Sequence, residues 1–196
     1  MKAVSIAAAL LLSACMTLPE QQVRRFIDVP EQKAVLVGKV EIHPPLQPGE
    51  QVLKTSLGER FQNVFILYCG EQIRDFRSKR PDTFAGSYAV TPEQSFYLEV
   101  RKGTTLYLSG GTFYTIFDPP YRIEAHTYPS LYTVDVNADD EAIYIGTIQY
   151  YRDENNNLTM TAIRDDYQAA DKEFKDRFTT STTLRKALLA PVDFSQ

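Results

Sequence analysis

The sequence predicts a mainly β fold, an antiparallel β-sandwich with a C-terminal amphipathic helix. Between Phe96 and Arg164, apolar and polar residues alternate with a period of two, in segments about 8 to 12 residues apart with no helical pattern between them. After residue 165 the period becomes that of a helix. The composition fits one globular domain, since 43% of the 196 residues are hydrophobic and 12% are aromatic.

The strands are predicted in chain order from their apolar pattern. Val35–Ile42 is the first, and a change of apolar parity across Gly38 predicts a β-bulge there. Val64–Tyr68 is a continuous apolar run, which is typical of a strand buried on both faces. The polar turn at residues 153–157 indicates a hairpin. The remaining strands are predicted at residues 96–101, 106–108, 112–117, 122–126, 131–136, 142–151 and 158–164.

The tail is predicted to form a helix that packs against the sheet. Its apolar face comprises Tyr167, Ala170, Phe174 and Phe178, at positions i, i+3, i+7 and i+11. Asp165, with Gln168 three residues later, resembles a capping box. Two acid–base pairs at i,i+4 would support the helix, Asp171–Lys175 and Glu173–Arg177. A further short helical turn is expected within Leu184–Leu189.

The N-terminal residues carry the features of a secretory signal. Lys2 precedes the apolar run Ala3–Leu12, which is shorter than the roughly 20 residues that a membrane-spanning helix needs. The segment Leu12-Ser13-Ala14-Cys15 resembles the lipobox of bacterial lipoproteins. This resemblance implies multiple acylation of Cys15, which would anchor the chain stably in a lipid bilayer. In the alternative interpretation, Cys15 is an incidental cysteine of an ordinary signal peptide.

The residue after Cys15 bears on location. Met16 stands where an Asp commonly retains Gram-negative lipoproteins in the inner membrane. The resemblance therefore implies the outer membrane, with the domain facing the periplasm by default and cell-surface exposure left open.

The chain is predicted to have four parts. Residues 1–14 form the lipoprotein signal peptide, and residues 15–33, which are polar and contain Pro19 and Pro30, form the lipidated N-terminus and a tether. The β-sandwich domain is placed at residues 34–165 and the helical segment at residues 166–190.

Part of the domain also resembles a known family. The stretch Phe96–Phe178 contains the strand Ala142–Ile148, interrupted by Tyr144-Ile145-Gly146, and then the acidic helix start Asp165–Ala170. This order of strand, Tyr-x-Gly, strand, acidic cap and helix resembles small bacterial lipoproteins of unknown function with an immunoglobulin-like or transthyretin-like β-sandwich. The resemblance implies that fold and no catalytic residue. It makes Gly146 a packing position where a side chain does not fit.

Composition and motifs argue against several function classes. A net charge of −4 disfavours a sequence-independent nucleic-acid binder. The sequence has no Gly-x-Ser-x-Gly, His-Glu-x-x-His or Ser-x-x-Lys motif. Cys69 could act as a thiol nucleophile with His43 or His126, but its position after the apolar run 64–68 favours a buried structural cysteine. No cofactor is predicted.

Two acidic segments are candidate cation sites. Residues 153–157 imitate the start of an EF-hand loop, but Leu158 occupies the required Gly position and Arg164 the Glu position, so a hairpin turn is predicted. The second segment comprises Asp135, Asp139, Asp140 and Glu141. It is interpreted as solvated surface, with weak Ca²⁺ binding as the alternative, and no metal site is predicted.

The sequence thus predicts a lipid-anchored envelope lipoprotein that acts as a non-catalytic binding or scaffolding module for an envelope protein or glycan. By strand parity, Tyr97 and Tyr107 are expected to point to solvent, and Tyr114 to join them in a contact patch. In the alternative interpretation, these tyrosines only stabilise the sheet. The alternative function is an envelope hydrolase with an unrecognised site.

Overall fold

A computed structural model describes residues 22–47, 52–54, 60–62, 64–73, 86–117 and 122–193. Within these residues the chain forms mainly strands and one α-helix, which confirms the predicted mainly β fold with a C-terminal helix. The elements in chain order are a 3-10 turn (Phe26–Asp28), β1 (Lys33–His43), β2 (Val52–Lys54), β3 (Arg60–Gln62), β4 (Phe65–Gly70), β5 (Ser87–Val90), β6 (Ser95–Arg101), β7 (Thr104–Phe117), β8 (Arg122–Val136), β9 (Ala142–Arg152), β10 (Leu158–Arg164), α1 (Tyr167–Phe178), β11 (Arg185–Lys186) and β12 (Ala190–Pro191). No helix of the described residues is long and apolar enough to cross a membrane.

The described strands form two larger sheets and a small hairpin. Sheet I has the order β10-β9-β1-β6, with β11 added beside β9, and sheet II has the order β12-β8-β7-β4-β5. The hairpin pairs β2 with β3. Sheet II is antiparallel throughout, whereas sheet I is mixed because β9 runs parallel to β1 and to β11. The purely antiparallel arrangement predicted from the sequence is therefore wrong for sheet I, since strand direction depends on connections that a local pattern does not encode.

One apolar core holds the two sheets together. It combines inward-facing side chains of both sheets, among them Leu36, Ile145, Leu67, Leu108 and Phe113. Tyr128 and Tyr150 are also fully buried there, with their ring centroids 5.8 Å apart. Because each sheet buries one face in this cluster, the arrangement is sandwich-like.

The bulge predicted at Gly38 lies opposite Gly38, on the neighbouring strand. Val37 pairs with Tyr144 and Lys39 pairs with Thr147, so two steps along β1 match three along β9. The parity change predicted within β1 is wrong: its even-numbered residues face the main core without interruption, and Val35 and Val37 are buried in a second cluster on the other face. The strand that changes parity is β9, at Gly146.

Gly146 is required by the backbone at this bulge. Its φ is +103°, and a Cβ there would lie 2.5 Å from Cγ2 of Ile163. Both observations agree with the packing role that the family resemblance implies for this residue.

The long strands β7 and β8 replace pairs of shorter predicted ones. The Gly110-Gly111 break and the region around Pro129 lie inside continuous strands, with a register shift between Leu108 and Gly110. Gly111 lies against the ring of Phe65, where a Cβ would come within 2.0 Å of Cε1. Gly111 therefore makes room for a core ring, whereas a Cβ at Gly110 would lie 2.1 Å from the backbone oxygen of Tyr128, so Gly110 permits the close approach of β8.

A second apolar cluster lies on the outer face of sheet I, where α1 and the N-terminal segment cover it. Its buried members are Val23, Val35, Val37, Tyr97, Ala142, Tyr144, Phe174 and Leu184. The predicted apolar face of α1 is confirmed, since Phe174 is fully buried and Tyr167, Ala170 and Phe178 pack around the cluster. Of the two predicted acid–base pairs, Asp171–Lys175 forms at 2.6 Å.

The ends of α1 and the segment after it differ from the prediction. Asp165, the predicted capping residue, accepts a hydrogen bond from the backbone nitrogen of Tyr167 at 3.1 Å. The N-cap residue itself is Asp166, whose carboxylate binds Arg164 and Thr147 and makes no cap hydrogen bond. The helix ends at Thr179, which adopts the left-handed conformation. Residues 184–189 are not helical: β11 extends sheet I, and β12 extends sheet II.

Residues 22–33, the described part of the segment predicted as a tether, pack on the domain. The Gln22 side chain donates to the backbone oxygen of Ala89 and accepts from the backbone nitrogen of Tyr97, each at 3.3 Å, and so touches both sheets. The ring of Phe26 stands edge-on to that of Phe174 at 5.3 Å. Val23 and Phe26 supply the apolar contacts that fix the segment.

Candidate binding surface on sheet I

The outer face of sheet I is divided into two halves. The closed half lies beneath α1 and residues 22–29 and contains the second apolar cluster described above. The open half lies beyond the bulge at Gly146, and a regular grid of side chains from β1, β9 and β10 occupies it. We define this grid as the open grid, and it is the candidate binding surface.

The register places the open grid in three rows of directly paired residues. The rows are Lys39–Thr147–Arg164, Glu41–Gln149–Ala162 and His43–Tyr151–Met160. Seven of these nine side chains are polar or charged, or carry a polar ring group. Because residues two apart on a strand share a face, the parity change in β9 brings Thr147, Gln149 and Tyr151 into line with the odd-numbered residues of β1.

A buried carboxylate lies in the middle row. The Glu41 side chain is only 7% exposed, and its Oε1 accepts a hydrogen bond of 2.6 Å from Nη2 of Arg164. Its Oε2 accepts one of 3.1 Å from Nε2 of Gln149 and lies 3.4 Å from Nε2 of His43. Donors on two neighbouring strands thus hold the carboxylate in one orientation.

The electrostatics of this group favour its ionised form. Burial raises the pKa of Glu41, but the hydrogen bonds from Arg164 and Gln149 and the charges of Arg164 and Lys39 outweigh that effect, so its pKa lies below the ordinary value of 4.5. Glu41 is therefore a charged acceptor at neutral pH and is unsuited to act as a general acid. Its charge-assisted hydrogen bonds give the grid a fixed polar centre.

The first row links the open grid to α1. Arg164 Nε donates to Oδ2 of Asp166 at 2.8 Å, and Thr147 Oγ1 donates to the same oxygen at 3.0 Å. The backbone nitrogen of Asp166 in turn donates to the hydroxyl of Tyr144 at 2.7 Å. The boundary between the two halves is consequently a hydrogen-bonded seam.

The third row presents rings and a thioether to solvent. The His43 and Tyr151 rings stack with centroids 5.0 Å apart and planes 29° apart. Met160, which pairs with Tyr151, is 52% exposed. Tyr151 also donates from its hydroxyl to Oε1 of Gln149 at 3.4 Å, which connects this row to the polar centre. Partly exposed flat rings beside fixed polar groups are typical of recognition surfaces.

The exposure predicted for Tyr97 is wrong. Tyr97 does lie on the opposite face from Phe96 and Leu98, but α1 covers that face and leaves the residue 1% exposed. Its hydroxyl donates to Oε1 of Glu173 at 3.0 Å, and the guanidinium carbon of Arg177 lies 4.7 Å from its ring centroid. Glu173 and Arg177 therefore contact Tyr97 from the helix.

The three predicted tyrosines do not form one patch. Tyr97 belongs to sheet I, whereas Tyr107 and Tyr114 belong to β7 of sheet II. Both β7 residues are half-buried and adjoin inward-facing core residues, Leu106 and Phe113 respectively, so they lie on the outer face of sheet II. The outer faces of two packed sheets point in opposite directions, which separates Tyr107 and Tyr114 from Tyr97.

Cys69 lies in the main core, away from both histidines. Burial raises the pKa of its thiol to about 12, so the sulfur is protonated and unreactive. Cys69 pairs with Leu108, whereas His126 pairs with Phe113, five residues further along β7, roughly 16 Å away at 3.3 Å per residue. His43 is on the opposite face of sheet I. The thiol–imidazole pair considered from the sequence is not formed.

The two acidic segments have structural roles. Asp140 is buried, and its carboxylate receives Nε of Arg185 at 2.5 Å and Nη2 at 2.6 Å. The other three acidic residues of this segment are exposed, so the interpretation as solvated surface is wrong only for Asp140. Asp153 Oδ1 accepts backbone hydrogen bonds from Asn155 and Asn157, which confirms the predicted turn. Among the residues that the structure describes, no group of three His, Cys, Asp or Glu side chains is placed to hold a metal ion.

The sequence contained a signal for the open grid that the tyrosine hypothesis did not use. Lys39, Glu41 and His43 alternate with the core residues Val40 and Ile42, which indicates a strand with one solvated face. The rest of the grid depends on the register of β9, which is set by the bulge. Cys15 lies outside the described residues, and its acylation stays a prediction.

In comparisons with known proteins, no family model, curated protein or solved structure matches this chain. The functional interpretation therefore depends on the residues of the chain itself.

Proposed function

We propose that this chain is a lipid-anchored bacterial envelope lipoprotein that acts as a non-catalytic binding or scaffolding module. Acylated Cys15 anchors it in the outer membrane, facing the periplasm, and the open grid binds an envelope protein or glycan. The lipobox-like segment Leu12–Cys15 supports the anchor. We also propose that the two-sheet arrangement is immunoglobulin-like or transthyretin-like, which the packing of two sheets on one core supports.

The observation that carries the binding role is the contrast between the two halves of sheet I. The chain covers the closed half with its own helix, whereas the open grid has half-buried stacked rings, an exposed Met160 and an exposed Arg164 that is held by the buried Glu41. Glu41 is held by two donors, so the polar centre is organised before any partner arrives, which lowers the ordering cost of binding. Binding through such a surface needs no catalytic group.

Capture from solubilised envelope tests the proposed surface. Full-length tagged protein is compared with a His43→Ser/Tyr151→Ser variant, which removes the exposed rings but leaves the Glu41–Arg164 pair. The expected result is loss of the proteins or glycan fragments that the wild type retains, by at least tenfold. Tyr107→Ser, on the outer face of sheet II, is the matched control and should retain them.

Circular dichroism and thermal unfolding verify that each variant is folded. An unchanged set of captured partners for the double variant would contradict the open grid as the contact surface. The anchor is tested separately with Cys15→Ala, which should yield a protein with no lipid by mass spectrometry. A Cys15→Ala protein that still fractionates with the outer membrane would show that acylation is not the anchor.

A further inference from the structure

A groove of about 720 Å³ lies between the N-terminal segment and the C-terminal end of α1. It adjoins the start of β1, at the opposite end of sheet I from His43. Since β1 has eleven residues and a strand rises about 3.3 Å per residue, the two ends lie roughly 33 Å apart. The groove is therefore distinct from the open grid.

The groove is cationic in a chain of net negative charge. Its basic lining residues are Arg24, Arg25, Lys33, Lys102 and Arg177, and its acidic ones are Glu31 and Glu141. The whole chain has a formal net charge of −4, so this excess of basic residues is local. Lys33 pairs with Glu99 in a half-buried contact, and Arg25 pairs with Asp28 in an exposed one that holds its partners weakly. The groove is suited to bind an anion with several contacts.

An exposed aliphatic side chain, that of Ile27, also lines the groove. Ile27 is 81% exposed, although the neighbouring Phe26 is anchored against Phe174 and Phe178. The 3-10 turn is thus fixed to the domain on one side and presents an apolar residue on the other. Basic residues around a protruding apolar residue match the headgroup and acyl layers of a membrane surface.

The length of chain before the groove sets its distance from the anchor. Seven residue steps separate Cys15 from Gln22, the first described residue, and they span at most about 25 Å. Arg24 and Arg25 follow within three further residues. If Cys15 is acylated, the side of the domain that carries Arg24 and Arg25 lies close to the bilayer.

We propose that the groove and Ile27 form a membrane-contact surface that binds the headgroups of anionic phospholipids beside the anchor. This inference rests on the proposed acylation of Cys15. It orients the domain, because contact at the Lys33 end of β1 directs the His43 end, and with it the open grid, away from the membrane. A partner in the periplasm would then meet the grid without steric hindrance from the bilayer.

The absence of tryptophan from the sequence allows a direct test. An Ile27→Trp variant of the mature acylated protein is reconstituted into vesicles of phosphatidylcholine, with or without phosphatidylglycerol, that carry brominated acyl chains. The expected result is quenching and a blue shift of the Trp emission in vesicles with phosphatidylglycerol, weaker quenching without it, and reversal at high salt. Arg24→Gln/Arg25→Gln in the same background should weaken docking by about 25-fold, about fivefold for each cation.

Two controls make the outcome decisive. Met160→Trp places the fluorophore at an exposed apolar position of the open grid and should remain unquenched in both vesicles. Lys172→Gln, an exposed cation on α1 outside the groove, should leave the quenching at position 27 unchanged. The proposal would be overturned if the Trp at position 27 were quenched no more than the Trp at position 160. It would also be overturned if quenching at position 27 were the same with and without phosphatidylglycerol.

The same experiment separates this inference from the proposed function. Mass spectrometry first establishes whether Cys15 carries lipid. An acylated protein with an unquenched Trp at position 27 contradicts the membrane-contact surface alone, whereas an unacylated Cys15 contradicts both proposals.

Discussion

The two halves of the outer face of sheet I share the same strands but differ in what covers them. In the closed half, Val35 and Val37 of β1 lie beneath aromatic residues of α1 and the N-terminal segment. In the open half, Lys39, Glu41 and His43 of the same strand take part in a polar grid. The outward-facing residues of β1 change from apolar to polar at the point where α1 and the N-terminal segment stop covering the strand.

The two halves also differ in the forces that organise them. The closed half is stabilised by apolar burial and ring packing, with Phe174 in contact with three other aromatic rings. The open half depends on charge-assisted hydrogen bonds around Glu41, which contribute little net stability but fix side-chain geometry. Substitutions in the closed half should therefore affect stability, and substitutions in the open half should affect binding.

The largest expected effect is at Phe174. Phe174→Ala removes a fully buried ring and leaves a cavity under α1, which should cost about 3–5 kcal/mol of unfolding free energy. Denaturant unfolding followed by circular dichroism measures this change. Asp176→Ala, at an exposed position of the same helix, is the control and should change stability by less than about 0.5 kcal/mol. Equal stability of the two variants would show that α1 does not close this half.

The boundary between the halves is tested at Gly146. Gly146→Ala places a Cβ at a φ of +103° and 2.5 Å from Cγ2 of Ile163, and should cost about 1–3 kcal/mol. Thermal unfolding measures the loss. Gly103 also has a positive φ, but a Cβ there would meet no atom within 4 Å. The loss of stability in Gly103→Ala therefore measures the cost of the backbone conformation alone. A stable Gly146→Ala protein would contradict the bulge that aligns the open grid.

A smaller effect is expected from the hydroxyl of Tyr97. Tyr97→Phe keeps the ring in the closed half but removes the hydrogen bond to the exposed Glu173, and should cost about 1 kcal/mol. Burial raises the pKa of this hydroxyl, with a further contribution from the charge of Glu173. The folded protein should therefore lose stability above the ordinary tyrosine pKa of 10, less steeply in Tyr97→Phe. Identical alkaline unfolding profiles would contradict a buried Tyr97.

The smallest effect concerns Glu41 in the open half. Its pKa is lowered in the folded state, so its contribution to stability is present above the ordinary value of 4.5 and is lost as the pH falls through the lower folded pKa. The difference in unfolding free energy between wild type and Glu41→Gln should accordingly shrink as the pH falls below about 4.5. Urea unfolding at a series of pH values measures it. A difference that grows at acid pH would contradict an ionised Glu41.

Much of the fold could be predicted from local pattern. The hairpin of β9 and β10 and the apolar face of α1 follow from residue spacing, and the packing role of Gly146 follows from the family resemblance; the structure agrees with all three. Parity also placed Tyr97 correctly on the face opposite Phe96. What parity does not reveal is that a helix seventy residues later covers that face.

The candidate site was missed for the same kind of reason. The open grid joins β1 to β9 and β10, which lie about a hundred residues further along the chain, and its parallel register is set by a bulge in β9. The apolar pattern predicts a parity change at Gly38 only if Val35 and Val37 face the main core, whereas these residues face α1. The register of β9 beside β1 depends on long-range strand pairing, and the face of Val35 and Val37 depends on packing by α1. A short stretch of sequence reveals neither.

Photocrosslinking from the two sheets tests the central claim most directly. A diazirine amino acid is placed at Met160 in the open grid, or at Ile73 beyond β4, both of which are exposed apolar positions. The account predicts a discrete crosslinked product with an envelope protein or glycan from position 160 in intact cells, and none from position 73. A product from position 73 alone, or no product from position 160, would contradict the open grid as the binding surface.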